Sequence, residues 1–219
     1  MSGAMVNLLL QGIWETLYMV LVSSAISYAL GIPLGVLVFI TDRHGLWQNR
    51  PLNFLLGGLI NLVRSVPFLI LLVAILPVTR ALVGTTIGST ATIVPLVAAA
   101  TPYVARMVES SLKEVDAGVF EAAQAMGSST FQIIWKVVLP EAKPSLLVGV
   151  TISLATILGY SAMAGFVGGG GLGAIATNYG YYRYDGQTML ITVVLLVIIV
   201  QIFQEVGLRL VNHIDKRKR

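Results

Sequence analysis

The chain has no cysteine and only two histidines, and 11% of its 219 residues are Asp, Glu, Lys or Arg. Without cysteine there are no disulfides, no thiolate metal ligands and no cysteine nucleophile, and the redox compartment is left open. His44 and His213 lie near the ends of apolar segments, and no HExxH occurs. Glycine recurs at Gly165, from Gly168 to Gly171 and at Gly173, but no Lys-Ser or Lys-Thr follows, so the phosphate-cradling loop of a nucleotide-binding protein is missing. The glycines around Ser161 do not complete G-x-S-x-G. An intramembrane enzyme therefore has little to work with, and no catalytic residue, metal site or cofactor is expected.

What the chain does have is apolar length. With 56% hydrophobic residues and a mean hydropathy of +0.86, it is too apolar for a soluble domain of this size. Its runs lack the alternation and aromatic girdles of a barrel, and as helices they are long enough to cross about 30 Å of hydrocarbon. The reading is an all-α membrane protein, one transmembrane domain over residues 1–219 embedded in a lipid bilayer.

Five spans are expected. The first covers about Trp14 to Ile40, where Gly31 and Gly35 form a GxxxG suited to close packing. The second begins between Leu52 and Val66 and ends near Leu76, interrupted by Pro67. Arg64 would be carried deep if that span began early, so either Leu52 to Val63 lies along the cytoplasmic surface, which is the favoured expectation, or Arg64 faces the bundle interior or a partner. Pro77 to Gly88 reads as a short turn. The third span runs from about Ser89 to Val108, with Pro95 and Pro102 inside, and Glu109 can pair with Arg106 and Lys113 as the helix emerges. The fourth runs from Lys143-Pro144 to about Met163 and the fifth from about Thr188 to Gly207. Between them, the glycine run reads as a flexible, closely packed outer loop, and Tyr179, Tyr181, Tyr182 and Tyr184 around Arg183 as an interfacial aromatic belt. Met1 to Gly12 has neither a positive front nor a cleavage site and does not read as a removable signal peptide.

The cations fix an orientation. Arg43 and Arg50 in the first loop, Arg106, Lys113, Lys136 and Lys143 around the third, and the Lys216–Arg219 tail fall on one side, against Arg80 and Arg183 alone on the other. The positive-inside rule puts the N-terminus outside and the C-terminus in the cytoplasm. The net charge of +4 thus reflects membrane topology and does not point to nucleic acid.

The organising stretch runs from Gly118 to Pro140. Glu121, Gln124, Gln132 and Lys136 keep it out of hydrocarbon, so it faces water or a partner. Asp116 and Gly118 start a short helix, Gly127 is a left-handed stop, and Ser128, Ser129 or Thr130 caps a second helix. Phe131, Ile134, Trp135 and Val138 follow at helical spacing, and Pro140 forbids simple continuation. The bland reading is an ordinary amphipathic helix-turn-helix in a loop.

Glu121-Ala122-Ala123, Gly127, and then Val137 and Leu139-Pro140 at their spacing resemble the EAA loop of permease subunits in ATP-binding-cassette (ABC) importers, with Val137 where that family usually has Ile. Val63 to Phe68, Val83-Gly84-Thr85, Ala105 to Glu109 and Gly159 to Met163 resemble the methionine-import permeases in particular. The resemblance implies that this loop, about residues 109–143, is a cytoplasmic coupling segment between the third and fourth spans. Glu121, Ala122, Ala123 and Gly127 would engage a separate ATPase subunit.

It further implies two permease copies with two ATPases, an external substrate-binding protein and a bacterial inner-membrane location. No charged pocket for a zwitterion is evident within the spans, so selectivity is expected to rest mainly with the binding protein. Tyr160, Ser161 and Met163, with Pro67, are the expected translocation gate; for Met163, packing within its own subunit is the plain alternative. A passive channel remains the functional alternative, since glycine and proline can equally line a pore.

Overall fold

The computed structural model describes residues 3–43 and 45–214, and these are helical or in short connections, with no strand among them. Lys216 to Arg219 and His44 lie outside the described residues. α1 covers Gly3–Thr41, starting well before Trp14. At 39 residues its rise of about 58 Å is nearly twice the hydrocarbon thickness, so it must tilt or protrude. α2 (Arg50–Ser65) is capped by Asn49, whose side chain accepts from the Leu52 amide at 3.1 Å. α2 ends at Val66, and α3 (Phe68–Ala74) leaves at 102° to it. Pro67 causes that break, because a residue before proline is pushed into extended backbone, as Val66 is. Leu52 to Val63 is thus a helix of its own, with only Ile60 buried.

The expected turn from Pro77 to Gly88 is instead largely helix, α4 (Leu76–Val83). Pro77 lies in its first turn, where the missing N–H costs nothing and the fixed φ favours the helix. α5 (Ser89–Lys113) absorbs both its prolines and packs along α1 as the most extensive helix pair. Gly31 makes that approach possible: a Cβ there would press on Val104. A Cβ on Gly35 would press on the Ala105 carbonyl and Val108. The GxxxG therefore serves a contact inside the chain.

A second departure concerns Pro140. After α6 (Ala117–Ala125), α7 (Thr130–Gln132) passes through a π-helical turn, Ile133–Val138, into α8 (Leu139–Ala164). The amide of Leu139 bonds five residues back to Ile134, and such a widened turn relieves the clash a proline ring makes with the preceding turn. The second helix of the 118–140 stretch and the fourth span are consequently one continuous rod, which begins at Thr130 and not near Pro144.

The glycine run is not a free loop. It forms a 3₁₀ turn, Gly165–Val167, then α9 (Gly171–Ile175) and a π-helical turn, Ala176–Tyr181. Gly165 backs directly onto the main chain of Gly173 with no room for a side chain. α10 (Gly186–Ile214) completes the fold. Among the described residues, four helical stretches are long and apolar enough to cross a membrane, and the bent α2–α3 pair makes a fifth if counted as one span.

Two main apolar cores divide the molecule. Met19, Val20, Leu96, Ile157 and Leu172 belong to one, and Val108, Leu112, Ala123, Ile133 and Val138 to the other, beneath α6.

Candidate functional site

α6 is built by its ends. The Asp116 carboxylate accepts from the Gly118 amide at 2.7 Å. At the other end Gly127 has φ +75°, its amide bonds Gln124 at 2.9 Å and the Ser128 amide bonds Ala123 at 3.2 Å. This pair of bonds is a Schellman closure, which wants glycine at the left-handed position. Ser129 and Gln132 then form a reciprocal capping box, identifying Ser129 as the cap among the three possibilities.

The EAA residues do not share a face. Glu121 and Ala122 are exposed, whereas Ala123 is 2% exposed and packs into the core below. Ala123 anchors the helix, and the outward face is Glu121, Ala122, Gln124, Ala125 and Met126. Met126 is 77% exposed, and Phe131 and Trp135 also project, their rings 6.0 Å apart, while Ile134 and Val138 turn inward. The sequence reading missed Met126; its signal was a large apolar residue immediately before the glycine that forms the apex of a water-facing turn.

Phe120 meets Phe39 of α1 at 5.9 Å between ring centroids. Beside that contact a cleft of about 560 Å³ opens between Phe39, Asp42 and Leu46 on one side and Lys113, Phe120, Glu121 and Gln124 on the other.

The C-terminal end of α5 carries a line of charge. Glu109, 4% exposed, accepts from Arg106 at 2.6 Å and Lys113 at 2.8 Å. Lys113 also reaches Asp42 at 2.7 Å, and Arg106 reaches Asn61 of α2 at 2.9 Å. The spacing of Glu109 had predicted the first two pairs; the contacts to α1 and α2 depend on the fold.

The expected gate residues lie along α8, Met163 standing about 36 Å of helical rise from Leu139. Met163 is 46% exposed, so it projects from its own subunit. Ser161 is buried, and its hydroxyl donates to the Leu158 carbonyl at 2.8 Å, so it lines no surface of this chain. Tyr160 stacks on Phe68, rings 4.5 Å apart and 7° from parallel, which brings α8 against the residue following Pro67. Pro67 itself is exposed at the start of α3.

Sequence reasoning also passed over Glu15. Its carboxylate accepts from the Gly171 amide at 2.7 Å and from Gln11 at 2.8 Å, and Thr16 accepts from the Leu172 amide at 2.9 Å, which pins α9 onto α1. With Gln11, Asn178 and Tyr179 it lines a cavity of about 250 Å³. Of the tyrosines expected in an aromatic belt, Tyr181, Tyr182 and Tyr184 are exposed, and the Arg183 guanidinium lies 4.4 Å from the centre of the Tyr179 ring.

Comparison with known proteins fits this geometry. The model of the binding-protein-dependent transport system inner membrane component family matches residues 31–219. The probable D-methionine transport system permease protein MetI of Vibrio cholerae is 56% identical over 211 residues, 96% of this chain and 94% of that protein. The methionine import system permease protein MetP of Bacillus subtilis is 42% identical over 204 residues, 93% and 92% of the two chains. Among solved structures, a chain of the MetNI methionine ABC transporter, in inward-facing conformations, superposes with a TM-score of 0.97 at 46% identity, covering 99% of this chain and 100% of that one. This chain belongs to the family of binding-protein-dependent transport system inner membrane components.

Proposed function

We infer that the chain is the permease subunit of an ABC importer for methionine and that ATP is hydrolysed on a separate subunit. The relatives' names supply methionine and the MetNI assembly supplies the architecture. The observation that carries the mechanism is the outward cluster of Glu121, Ala122, Met126, Phe131 and Trp135 around the closed turn at Gly127. Small side chains let a partner's surface approach the α6 backbone, and the exposed apolar groups gain by being covered. In this reading two copies of the chain enclose the pathway, two ATPases grip the two α6 faces, and an external binding protein delivers substrate. The spans number five, with the N-terminus outside. Closure of the ATPases moves α6, and the rod from Thr130 through α8 carries that movement toward Tyr160 and Met163.

The test is affinity purification in mild detergent, followed by reconstitution with binding protein. An ATPase should copurify, and methionine with binding protein should stimulate it. Methionine flux through the purified permease alone, without ATP, would instead establish a channel.

A further inference from the structure

We propose that Glu109 is the positioning residue that makes the coupling segment and the bent second span move as one body. This rests on the coupling role proposed for α6. Glu109 lies seven residues before Asp116, the residue that caps α6, and is all but sealed from solvent. It holds Arg106 and Lys113 on either side, at 2.6 and 2.8 Å. Each cation in turn holds another element: Lys113 takes Asp42 at the end of α1, and Arg106 takes Asn61 of α2. Arg106 also points a second weak contact at the Gly57 carbonyl, 3.5 Å away. Glu109 is thus the centre of the charged contacts that join α1, α2 and α5, beside the Asn53 bonds from α2 to Val38 and Thr41 and the apolar contact of Val38, Ile60 and Ala105.

What lies beyond that tie gives it a role in transport. α2 turns by 102° at Pro67 into α3, and Phe68 stacks on Tyr160, one turn from Met163. A displacement of α5 delivered through α6 would therefore reach α2 through Arg106, pivot at Pro67 and arrive at the gate segment through the Phe68–Tyr160 stack. α5 is simultaneously held to α1, so the displacement is not dissipated as a local tilt of one helix end. A neutral isostere at position 109 keeps the packing and one hydrogen bond but leaves two cations competing for it, and a short polar contact is then lost on one side.

The experiment uses the full transporter in vesicles, and reads methionine taken up per ATP hydrolysed. A residue with a merely structural role changes yield and total activity together and leaves that ratio alone. Glu109→Gln should retain the ATPase on the permease and lower uptake per ATP by about tenfold, within the range by which single residues alter coupling between sites. Glu109→Asp should recover part of the loss. Asn61→Ala removes the shorter of the two Arg106 contacts to α2, leaving the weak one at Gly57, without touching a buried charge. It should lower the ratio by about threefold, and adding it to Glu109→Gln should cost little more, since the two act on one connection.

A wild-type ratio in either Glu109→Gln or Asn61→Ala, or fully additive losses, overturns the proposal. If Glu109→Gln fails to insert, Asn61→Ala decides alone. Failure of the wild-type chain to retain an ATPase would instead strike at the coupling reading beneath it.

Discussion

Replacement of Gly127 isolates the backbone from every other contribution at the turn that closes α6. Its φ is +75°, and a Cβ added there meets nothing within 4 Å, so a larger side chain has no clash to resolve. The whole cost is that of holding an L-residue in the left-handed region: about 1 kcal/mol for alanine, less for asparagine and about 2 kcal/mol for a β-branched residue. Those figures correspond to roughly fivefold and thirtyfold losses in the population of the closed turn. When the turn opens, the Ser128–Ala123 and Gln124–Gly127 bonds are lost, and Ser129 no longer starts the next helix in register with α6. Ala123 remains in its core, so insertion should survive. Measured as ATPase retained on tagged permease at limiting ATPase, and as methionine uptake at matched expression, the order should be Gly, Asn, Ala, Val. Equal retention by Gly127→Val refutes the role of the turn. If Gly127→Asn is as poor as Gly127→Val, the backbone argument fails and a partner group needs the space.

Three further outcomes are expected. In this cysteine-free chain, Gly186→Cys should react with an impermeant thiol reagent in intact cells, and Gln48→Cys only after the inner face is opened; Gln48 is preferable to Gly45, whose Cβ would strike the Ile40 carbonyl. Met163→Cys should form a disulfide between two permease subunits under mild oxidation, blocking uptake, and its failure to do so moves the gate elsewhere. The side-chain and backbone hydrogen bonds from Thr188 hold the Asp185 carboxyl below its ordinary pKa, so its support of the α10 N-terminus is complete above the unfolded value of about 3.9 and fades as pH falls through the lower folded value. Hydrogen exchange at the Thr188 amide should therefore quicken, relative to neighbouring helix, only in that acid range, and Asp185→Asn should abolish the pH dependence.

The membrane class, the approximate spans, the Asp116 start and the Gly127 stop were legible because each depends on local chemistry: apolar length, a capping oxygen, a left-handed backbone. Pro140 misled for a related reason. A proline's effect on an α-helix is local, but the π-turn before it is stabilised by Ile133 and Val138 packing into the core under α6, a tertiary contribution invisible in the string. Pro77 was taken for part of a turn, though a proline in a first helical turn reads almost identically. Glu15 was overlooked because its partner in α9 is the main-chain amide of Gly171, 156 residues away, and backbone donors carry no sequence signature. The burial of Ala123 beside exposed Ala122 could not be read either, since two alanines differ only in where the fold points them.

The faces of α8 show the same limit in a form that bears on transport. The helix is apolar around most of its circumference, so hydropathy cannot separate a side that meets lipid from one that meets another protein. The fold makes a partial division: Ser153, Ile157, Ser161 and Ala164 turn inward, while Val148, Ile152, Gly159 and Met163 remain open. Within the open set, Gly159 is the informative residue. Among the described residues, nothing beyond its own helix backbone lies within 4 Å of its missing Cβ, so its smallness serves no contact with another of the described elements, yet glycine there weakens the helix by about 1 kcal/mol relative to alanine. Gly31 and Gly35 show what such a residue does when it has a partner, admitting α5 against α1 at backbone distance. The same allowance at Gly159, one turn before an exposed methionine, fits the close approach of a helix from a second copy. On the reading proposed above, Met163 would stand beside the symmetry axis, where a separation of subunits opens a passage without breaking any bond inside either one.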